Sequence, residues 1–388
     1  MEGKDLTNKK TVSMFILNDC DSDVRVLKLA NTLVNNDFKV QIVATHLNKQ
    51  LPKNETLDNG VKMKRISVMN IPFLIYLEFW LKAIVLFRNQ KVGTYVCHDL
   101  NTLPIGAWLK RKHKQSRLVY DTHEFFPSMI EETKGRFIYW LFVSLEKPII
   151  KKPNFITTIS ESMAMYLRYY YKLKQPIDYI FNAPNESISN YPIIPIPRAD
   201  NEILFALVGT VSAVNRGFEL LPDFASHLKS IRKDDDPEIR VIVLGDGGYR
   251  KTIQKKIKEE GHDDMIKFFG HHPYDEAMSM SKSCDVGIIL TQPTSLNNLY
   301  SGPNRIFDYL GNDLPLLATD LYEFKKIALK EKCGWVFPSA DPKLFAEKTL
   351  EVARNKNEIL AKKKNVSALF KNKYTWEKME AKILELYG

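Results

Sequence analysis

The 388-residue chain predicts an α/β protein built from two doubly wound parallel-sheet units. Three observations support that class. Short apolar runs alternate with segments of helical periodicity, the pattern of strand–helix–strand repeats that put helices on both faces of a parallel sheet. The alternation stops at a Pro-rich stretch, Asn182–Asn201 with Pro184, Pro192, Pro195 and Pro197, and restarts beyond it. The length itself suits two domains of ordinary size. The expected bounds are a first domain at 1–185, a linker at 186–201 and a second domain at 202–370, with the C-terminal helix 371–388 packing back on the first.

In order along the chain, Val12–Leu17 reads as a buried strand and Val24–Val34 as an amphipathic helix. Val40–Ala44, Thr94–Val96, Leu118–Tyr120 and Phe155–Ile159 follow as strands. Beyond the Pro-rich stretch the strand candidates are Ile203–Val208, Val241–Leu244, Ile266–Phe269, Val286–Leu290, Leu316–Ala318 and Trp335–Phe337, separated by helical patterns. A last helix is expected at Trp376–Leu386.

Composition narrows the class further. With 44% apolar and 26% charged residues, the chain is excluded from disordered, collagenous and disulfide-scaffold types. Cys20, Cys97, Cys284 and Cys333 are far apart without metal-ligand spacing, and read as reduced thiols of a cytoplasmic protein. The start, MEGKDLTNKK, has no apolar core of a secretory signal. Ile71–Phe87 is the longest apolar stretch, but Glu78 and Lys82 interrupt it and it is too short to span a bilayer. The net charge of +10 is uneven: residues 1–200 carry 28 Lys+Arg against 19 Asp+Glu, and residues 201–388 carry 28 against 27. A basic half of this kind meets nucleic acid, acidic lipid or an acidic substrate.

Ligands of open parallel sheets bind beyond the carboxyl ends of the strands, so the residues just after each strand carry the functional information. After the first strand, Asn18-Asp19-Cys20-Asp21-Ser22-Asp23 resembles the start of a calcium loop, but the required Gly and Glu are missing. A metal-binding Asp pair is a second reading; helix capping by Ser22 or Asp23 is the third and preferred one. Arg25, in the first turn of that helix, is expected to point across the top of the sheet. Two His-acid pairs, His98-Asp99 and His123-Glu124, follow the strands Thr94–Val96 and Leu118–Tyr120. Each His is either a ligand-facing donor or a hydrogen-bonded structural side chain, the company of His123 favouring the former. No nucleophile elbow or Cys–His pair supports a hydrolase, and no metal-ligand cluster is visible.

In the second half, Gly209-Thr210-Val211-Ser212-Ala213-Val214-Asn215-Arg216-Gly217 follows a strand and leads to a helix, a place where backbone N–H groups bind phosphate. Arg216 adds a cation able to bridge phosphate oxygens. Gly245-Asp246-Gly247-Gly248 is a second Gly-rich turn, of a kind also common as a plain connection. Tyr300-Ser301-Gly302-Pro303-Asn304-Arg305-Ile306-Phe307-Asp308 reads as a capped helix start, with Ser301 at the cap and N–H groups at Asn304 and Arg305 for an anion. Asp308, one turn on, suits a vicinal diol such as ribose, or else is a solvated surface acid.

Together these segments resemble the glycosyltransferase family 4 members of the GT-B fold, retaining enzymes that use nucleotide-sugar donors. The resemblance runs over most of the chain, through YVCHDLNTLPIGAW, RLVYDTHEFFPSM, ITTISESMAMYL and IFNAPNE, then LFALVGT, NRGFELL, IRVIVLGDGG, IKFFGHHPYDEAMSMSKSCDVGIIL, GPNRIFDYLGNDLPLLAT and CGWVFPSADPKLFAEKTLEV. It implies two Rossmann-like domains facing a central cleft. His123 corresponds to the family's His that faces the transferred sugar, and Arg25, His98, Asp99 and Glu124 fall on the acceptor or sugar side. Gly209, Thr210 and Arg216 fall beside the donor diphosphate, with Ser301, Asn304, Arg305 and Asp308. The family's Arg after the first Gly is Thr210 here, and Arg305 is offered as the substitute cation; its paired glutamates fall on Tyr300 and Asp308.

The implied reaction transfers a sugar from a UDP- or GDP-sugar to a hydroxyl of a glycan or lipid-linked acceptor, without a metal or tightly bound cofactor. Two other functions stay open: an idle donor-binding subunit of a glycosyltransferase complex, motivated by Thr210 and Tyr300, and a GT-B sugar-nucleotide epimerase. The aromatic and basic segments 71–91 and 136–152 are expected either in the core or against an anionic membrane, giving a cytoplasmic protein peripheral to the inner face of the cell membrane. Nucleic acid is not an expected partner, because no recognition motif accompanies the basic cluster Lys110–Lys114.

Overall fold

The computed structural model describes residues 10–125, 136–300, 302 and 304–388, with the side chains of 136–139, 141, 142 and 145 outside that description. The chain divides into two compact units, Met1–Ile180 with Glu380–Gly388, and Phe181–Met379.

Among the described residues of the first unit, eight strands form one sheet: β1 (Thr11–Phe15), β2 (Lys39–Thr45), β3 (Asn54–Thr56), β4 (Lys62–Ile66), β5 (Thr94–His98), β6 (Arg117–Asp121), β7 (Phe155–Thr158) and β8 (Ile177–Tyr179). Their order is β3-β4-β2-β1-β5-β6-β7-β8, parallel except for the antiparallel β3–β4 pair. β1, β5 and β6 are apolar runs because helices cover both their faces. Sequence reasoning found the buried strands and missed β3, β4 and β8. Each of these is short or charged (NET, KMKRI, IDY), so none carries a continuous apolar run. The helix Val24–Val34 forms over the expected span and is capped by Asp23, whose carboxylate accepts from Val26 N at 3.2 Å. Asp19 is spent on the end of β2, accepting from Thr45 Oγ1 at 3.0 Å and from the N–H groups of Leu47 and Asn48, each at 2.7 Å. The Asp-rich turn is therefore a cap and a strand tie.

The second unit contains β9 (Glu202–Val208), β10 (Glu238–Leu244), β11 (Ile266–Gly270), β12 (Val286–Ile289), β13 (Leu316–Thr319) and β14 (Gly334–Phe337). They lie in the order β11-β10-β9-β12-β13-β14, all parallel. In chain order this is 3-2-1-4-5-6, the doubly wound arrangement whose ligand crevice opens where the strand order reverses, beside β9 and β12. Apolar side chains of β9, β10 and β12 pack with those of helices Leu221–Ile231 and Pro342–Arg354 in one buried core. Residues 182–201 belong to this unit; Ile194 N bonds Ser279 O at 3.1 Å, and Lys282 Nζ bonds Tyr191 O at 3.0 Å.

The last residues return to the first unit. Arg117 donates to the carbonyls of Leu386 and Tyr387 at 2.5 and 3.0 Å, and Thr32 Oγ1 donates to Glu380 at 2.8 Å. All four cysteines are buried free thiols. Among the described residues, no helix is long and apolar enough to cross a membrane.

Candidate active site

The crevice edge of the first unit is organised by Asp121, at the end of β6. Its carboxylate is 1% exposed and receives donors from four elements. Arg25 reaches it with Nη2 at 2.7 Å and Nε at 3.3 Å, and Thr157 Oγ1 donates at 2.7 Å. His123 Nε2 lies at 3.0 Å from Oδ2 and His98 Nδ1 at 3.2 Å. Burial works against the charge, but Arg25, His123 and His98 outweigh it and hold the Asp121 carboxyl well below its usual range. Asp99, in the left-handed region at φ 60°, accepts the His123 N–H at 2.8 Å, and its other oxygen is 3.8 Å from His123 Nδ1. Glu124 follows, its carbonyl accepting from Thr122 Oγ1 at 2.6 Å.

His98, Asp121 and His123 thus gather three ligand-type atoms, which the sequence alone did not reveal as a cluster. Asp121 already accepts from nitrogen and hydroxyl donors at both oxygens, with the fixed charge of Arg25 beside it. Among the described residues the cluster is a hydrogen-bond network centred on Asp121.

In the second unit the crevice edge is cationic. The Gly209 backbone has φ +126°, and a Cβ there would lie 3.3 Å from the Arg305 guanidinium carbon, so glycine lets that side chain lie against the loop. Arg305 is 9% exposed, and among the described residues its one hydrogen bond is Nη1 to Val208 O at 2.8 Å. Burial, with the positive charge of Arg216 nearby, lowers its pKa to about 10. A buried guanidinium near a second one is chemically suited to an anion. The Arg216 loop is held by Asn215, whose carbonyl accepts from Gln292 N at 3.2 Å and whose side chain accepts from Thr294. Thr210 is exposed beside Gly209.

Below this edge, Tyr309 fixes the helix Arg305–Gly311 to the diverging strands. Its hydroxyl accepts from Val208 N at 2.9 Å and lies 3.0 and 3.2 Å from the carbonyls of Ala206 and Ile288. The second Gly-rich turn is a buttress: a Cβ on Gly245, at φ +154°, would fall 1.9 Å from Gly209 O. Val211 N donates to Asp246 O at 3.0 Å. Asp308 accepts from Tyr274 OH at 2.5 Å, and Tyr300 stacks on Tyr322 with ring centroids 5.1 Å apart. Asn304 is the exposed cap residue of Arg305–Gly311, without a side-chain capping bond; Ser301 lies outside the described residues.

Of the residues singled out from sequence, the structure brings together Arg25, His98, Asp99 and His123 in one unit. It brings together Gly209, Arg216 and Arg305 in the other, with Asp308 on the same helix as Arg305. Arg25 is buried and engaged with Asp121, and it also bonds Ile180 O at 2.6 Å. Sequence reasoning left out Asp121 and Tyr309. The Asp of Asp-Thr-His-Glu was the available signal for the first; nothing in the local pattern signals the second.

A two-domain glycosyltransferase of the GT-B class is what these two doubly wound units define. The model described as Glycosyltransferase Family 4 matches residues 23–186, and that described as Glycosyl transferases group 1 matches residues 196–368. The chain belongs to the family 4 type of glycosyltransferase that these two matches describe. Among solved structures it is similar to sucrose-phosphate synthase from Thermosynechococcus elongatus (TM-score 0.77, 14% identity, 97% of this chain and 98% of that one). It is also similar to a glycosyltransferase from Rickettsia africae (TM-score 0.73, 13% identity, 98% of each chain). A third is HepE from Anabaena in complex with UDP (TM-score 0.71, 13% identity, 97% and 98%). Likeness at such identity speaks for the fold. No curated protein sequence gives a significant match.

Proposed function

We propose that this glycosyltransferase takes its sugar from a nucleoside-diphosphate sugar and transfers it with retention to a hydroxyl of a glycan or lipid-linked acceptor, in the synthesis of a cell-surface polysaccharide or glycoconjugate. The observation that carries the donor assignment is the pair of guanidiniums, Arg305 and Arg216, at the Gly209 loop of the switch point. The UDP complex of the similar HepE fold supports the same reading. As the glycosidic C–O bond breaks, the sugar takes on oxocarbenium character and the leaving diphosphate gains negative charge. Two preorganised guanidiniums stabilise that charge where it develops. Asp308 is suited to a ribose diol, and His123 to orienting an oxygen of the sugar or acceptor.

Arg216→Ala is expected to lower kcat/KM for the donor by about 100-fold, the scale of losing one charge-stabilising donor. Release of nucleoside diphosphate from a panel of UDP- and GDP-sugars, with lipid or glycan extract, measures this. Wild-type rates in the variant would overturn the donor site, and no release from any donor would overturn nucleotide-sugar use. An anomerically inverted product would overturn retention.

The acceptor reading includes a membrane surface on the first unit. The helix Leu74–Phe87 buries Phe79, Ala83 and Phe87, while Leu74, Leu77, Leu81 and Val85 are exposed along one face. Ile71 and Phe73 extend that face, and exposed Arg88 and Lys91 follow it. Of the aromatics in the segment 71–91, Phe79 and Phe87 are core, and the exposed face is mainly aliphatic. Such a surface with flanking cations suits an anionic interface. In the second segment, Trp140 and Lys147 are exposed and Val143 is buried, the other expected aromatics lying outside the described side chains. Flotation with anionic vesicles is expected to carry wild type, and Leu77→Asp/Leu81→Asp to reduce it severalfold. Equal flotation with neutral vesicles would overturn the anionic part of the reading.

A further inference from the structure

The charge network around Asp121 sets the protonation of His123, an inference that rests on the transferase reading only for its consequence in catalysis. A carboxylate oxygen can only accept, so the 3.0 Å contact between Asp121 Oδ2 and His123 Nε2, shorter than the 3.2 Å from His98 Nδ1 to either atom, favours a proton on Nε2. On the opposite side of the ring, Asp99 Oδ2 lies 3.8 Å from Nδ1. A lone pair on Nδ1 would face that second carboxylate, whereas a proton there is favoured by it. Both ring nitrogens are thus turned towards acids. Asp121 cannot move to relieve this, because Arg25 and Thr157 hold its oxygens.

We propose that His123 is a fixed imidazolium, with Asp121 and Asp99 as its positioning residues and Arg25 and Thr157 as the anchors of Asp121. Its side chain is 16% exposed, and Asp99 at 3.8 Å from Nδ1 is too far for a hydrogen bond, so the role assigned to Nδ1–H is to meet a ligand oxygen. It then serves as a hydrogen-bond donor and a positive charge, and neither takes nor gives a proton during transfer. The C–O bond to diphosphate breaks, the C–O bond to the acceptor forms, and the acceptor proton passes to the departing diphosphate oxygen.

The remaining charged and titratable groups are consistent with this. Burial opposes the positive ring most, and Arg25 adds to that, yet Asp99 and Asp121 outweigh both and raise its pKa. His98 Nδ1 is 3.2 Å from both His123 Nε2 and Asp121 Oδ2, and its Nε2 has no hydrogen-bond partner among the described residues. Tyr387 faces Asp121 and Arg25 electrostatically from the C-terminal helix, and Glu146 and Tyr120 face Asp99.

The test uses the full chain labelled with 15N-histidine, its imidazole resonances followed from pH 5.5 to 9.5, with His123→Gln to assign the signal. Wild-type His123 is expected to keep imidazolium resonances above the ordinary value of about 6.5. In Asp99→Asn its transition should fall by about one pH unit, and further in Asp121→Asn. Asp99 is partly exposed, so its variant keeps the test available where Asp121→Asn, leaving Arg25 unpaired, does not fold. Titration at or below 6.5 in wild type, or an unmoved transition in Asp99→Asn, overturns the proposal. With donor turnover, the alkaline limb of kcat should move to lower pH in Asp99→Asn. For a limb lying about one pH unit lower, the rate beyond it should be roughly tenfold lower. An unmoved limb overturns the catalytic consequence. Absent turnover in wild type with the expected NMR titration would defeat the transferase chemistry alone and leave the imidazolium standing.

Discussion

Arg305→Met is expected to keep or raise thermal stability while removing most donor turnover. Wild type holds a buried guanidinium whose pKa falls to about 10 through burial and the nearby charge of Arg216. The lowered value disfavours the charged form in the folded state, so it is a stability cost at neutral pH that fades only as pH rises through about 10. At about 1.4 kcal/mol for a tenfold change in proton affinity, that cost is about 3 kcal/mol. Methionine removes the cost and fills a similar volume, giving up the bond to Val208 O. The same substitution removes a charge that the leaving diphosphate needs, for a loss of about 10²–10³ in kcat/KM. Melting with and without UDP, alongside diphosphate release, checks both halves. Ligand should raise the wild-type Tm more than the variant's, because binding neutralises a strain only wild type has. Equal UDP-induced changes in Tm and equal turnover would refute the donor role of Arg305.

Glu146→Gln is expected to stabilise the first unit at alkaline pH and to change it much less at pH 5. The carboxyl is 1% exposed and accepts from Tyr120 OH at 3.1 Å and from Tyr171 OH. Burial raises its pKa from 4.5 to about 7, although both hydroxyls favour the ionised form. A carboxyl raised in the folded state contributes stability below its unfolded value and loses it as pH climbs through about 7. The difference reaches about 3 kcal/mol at pH 8, or roughly 5–10 °C in Tm for a domain of this size. Glutamine keeps an acceptor oxygen for one hydroxyl, donates its NH2 to the oxygen of the other, and never ionises. Melting curves of both proteins between pH 5 and 8.5 test this, and parallel curves would refute it.

Much of this protein was legible in its sequence. The strands β1, β2, β5, β6, β7 and β9–β14 are apolar runs because both faces of a doubly wound sheet are covered, and burial writes itself locally into composition. The parts of the site just after those strands were legible for the same reason: parallel strands all end on one edge, so His98, His123, Gly209 and Arg216 had to lie there. The short strands β3, β4 and β8 were not legible, since their place depends on pairing with a neighbour rather than on their own apolarity.

What only the tertiary structure decided is which of these groups touch. Arg25 and Asp121 are 96 residues apart and form one buried ion pair. Arg305 and Tyr309 reach Val208 of β9 from about a hundred positions away, and Tyr309 also bonds Ile288 of β12, 21 positions away. Phe79 and Phe87 turn inward while Leu77 and Leu81 face solvent, a division the continuous apolarity of their helix did not reveal. Periodicity reports a residue's environment one element at a time. Partnership between charges depends on how crossover connections bring separate strand ends together, and a linear pattern does not carry that distance.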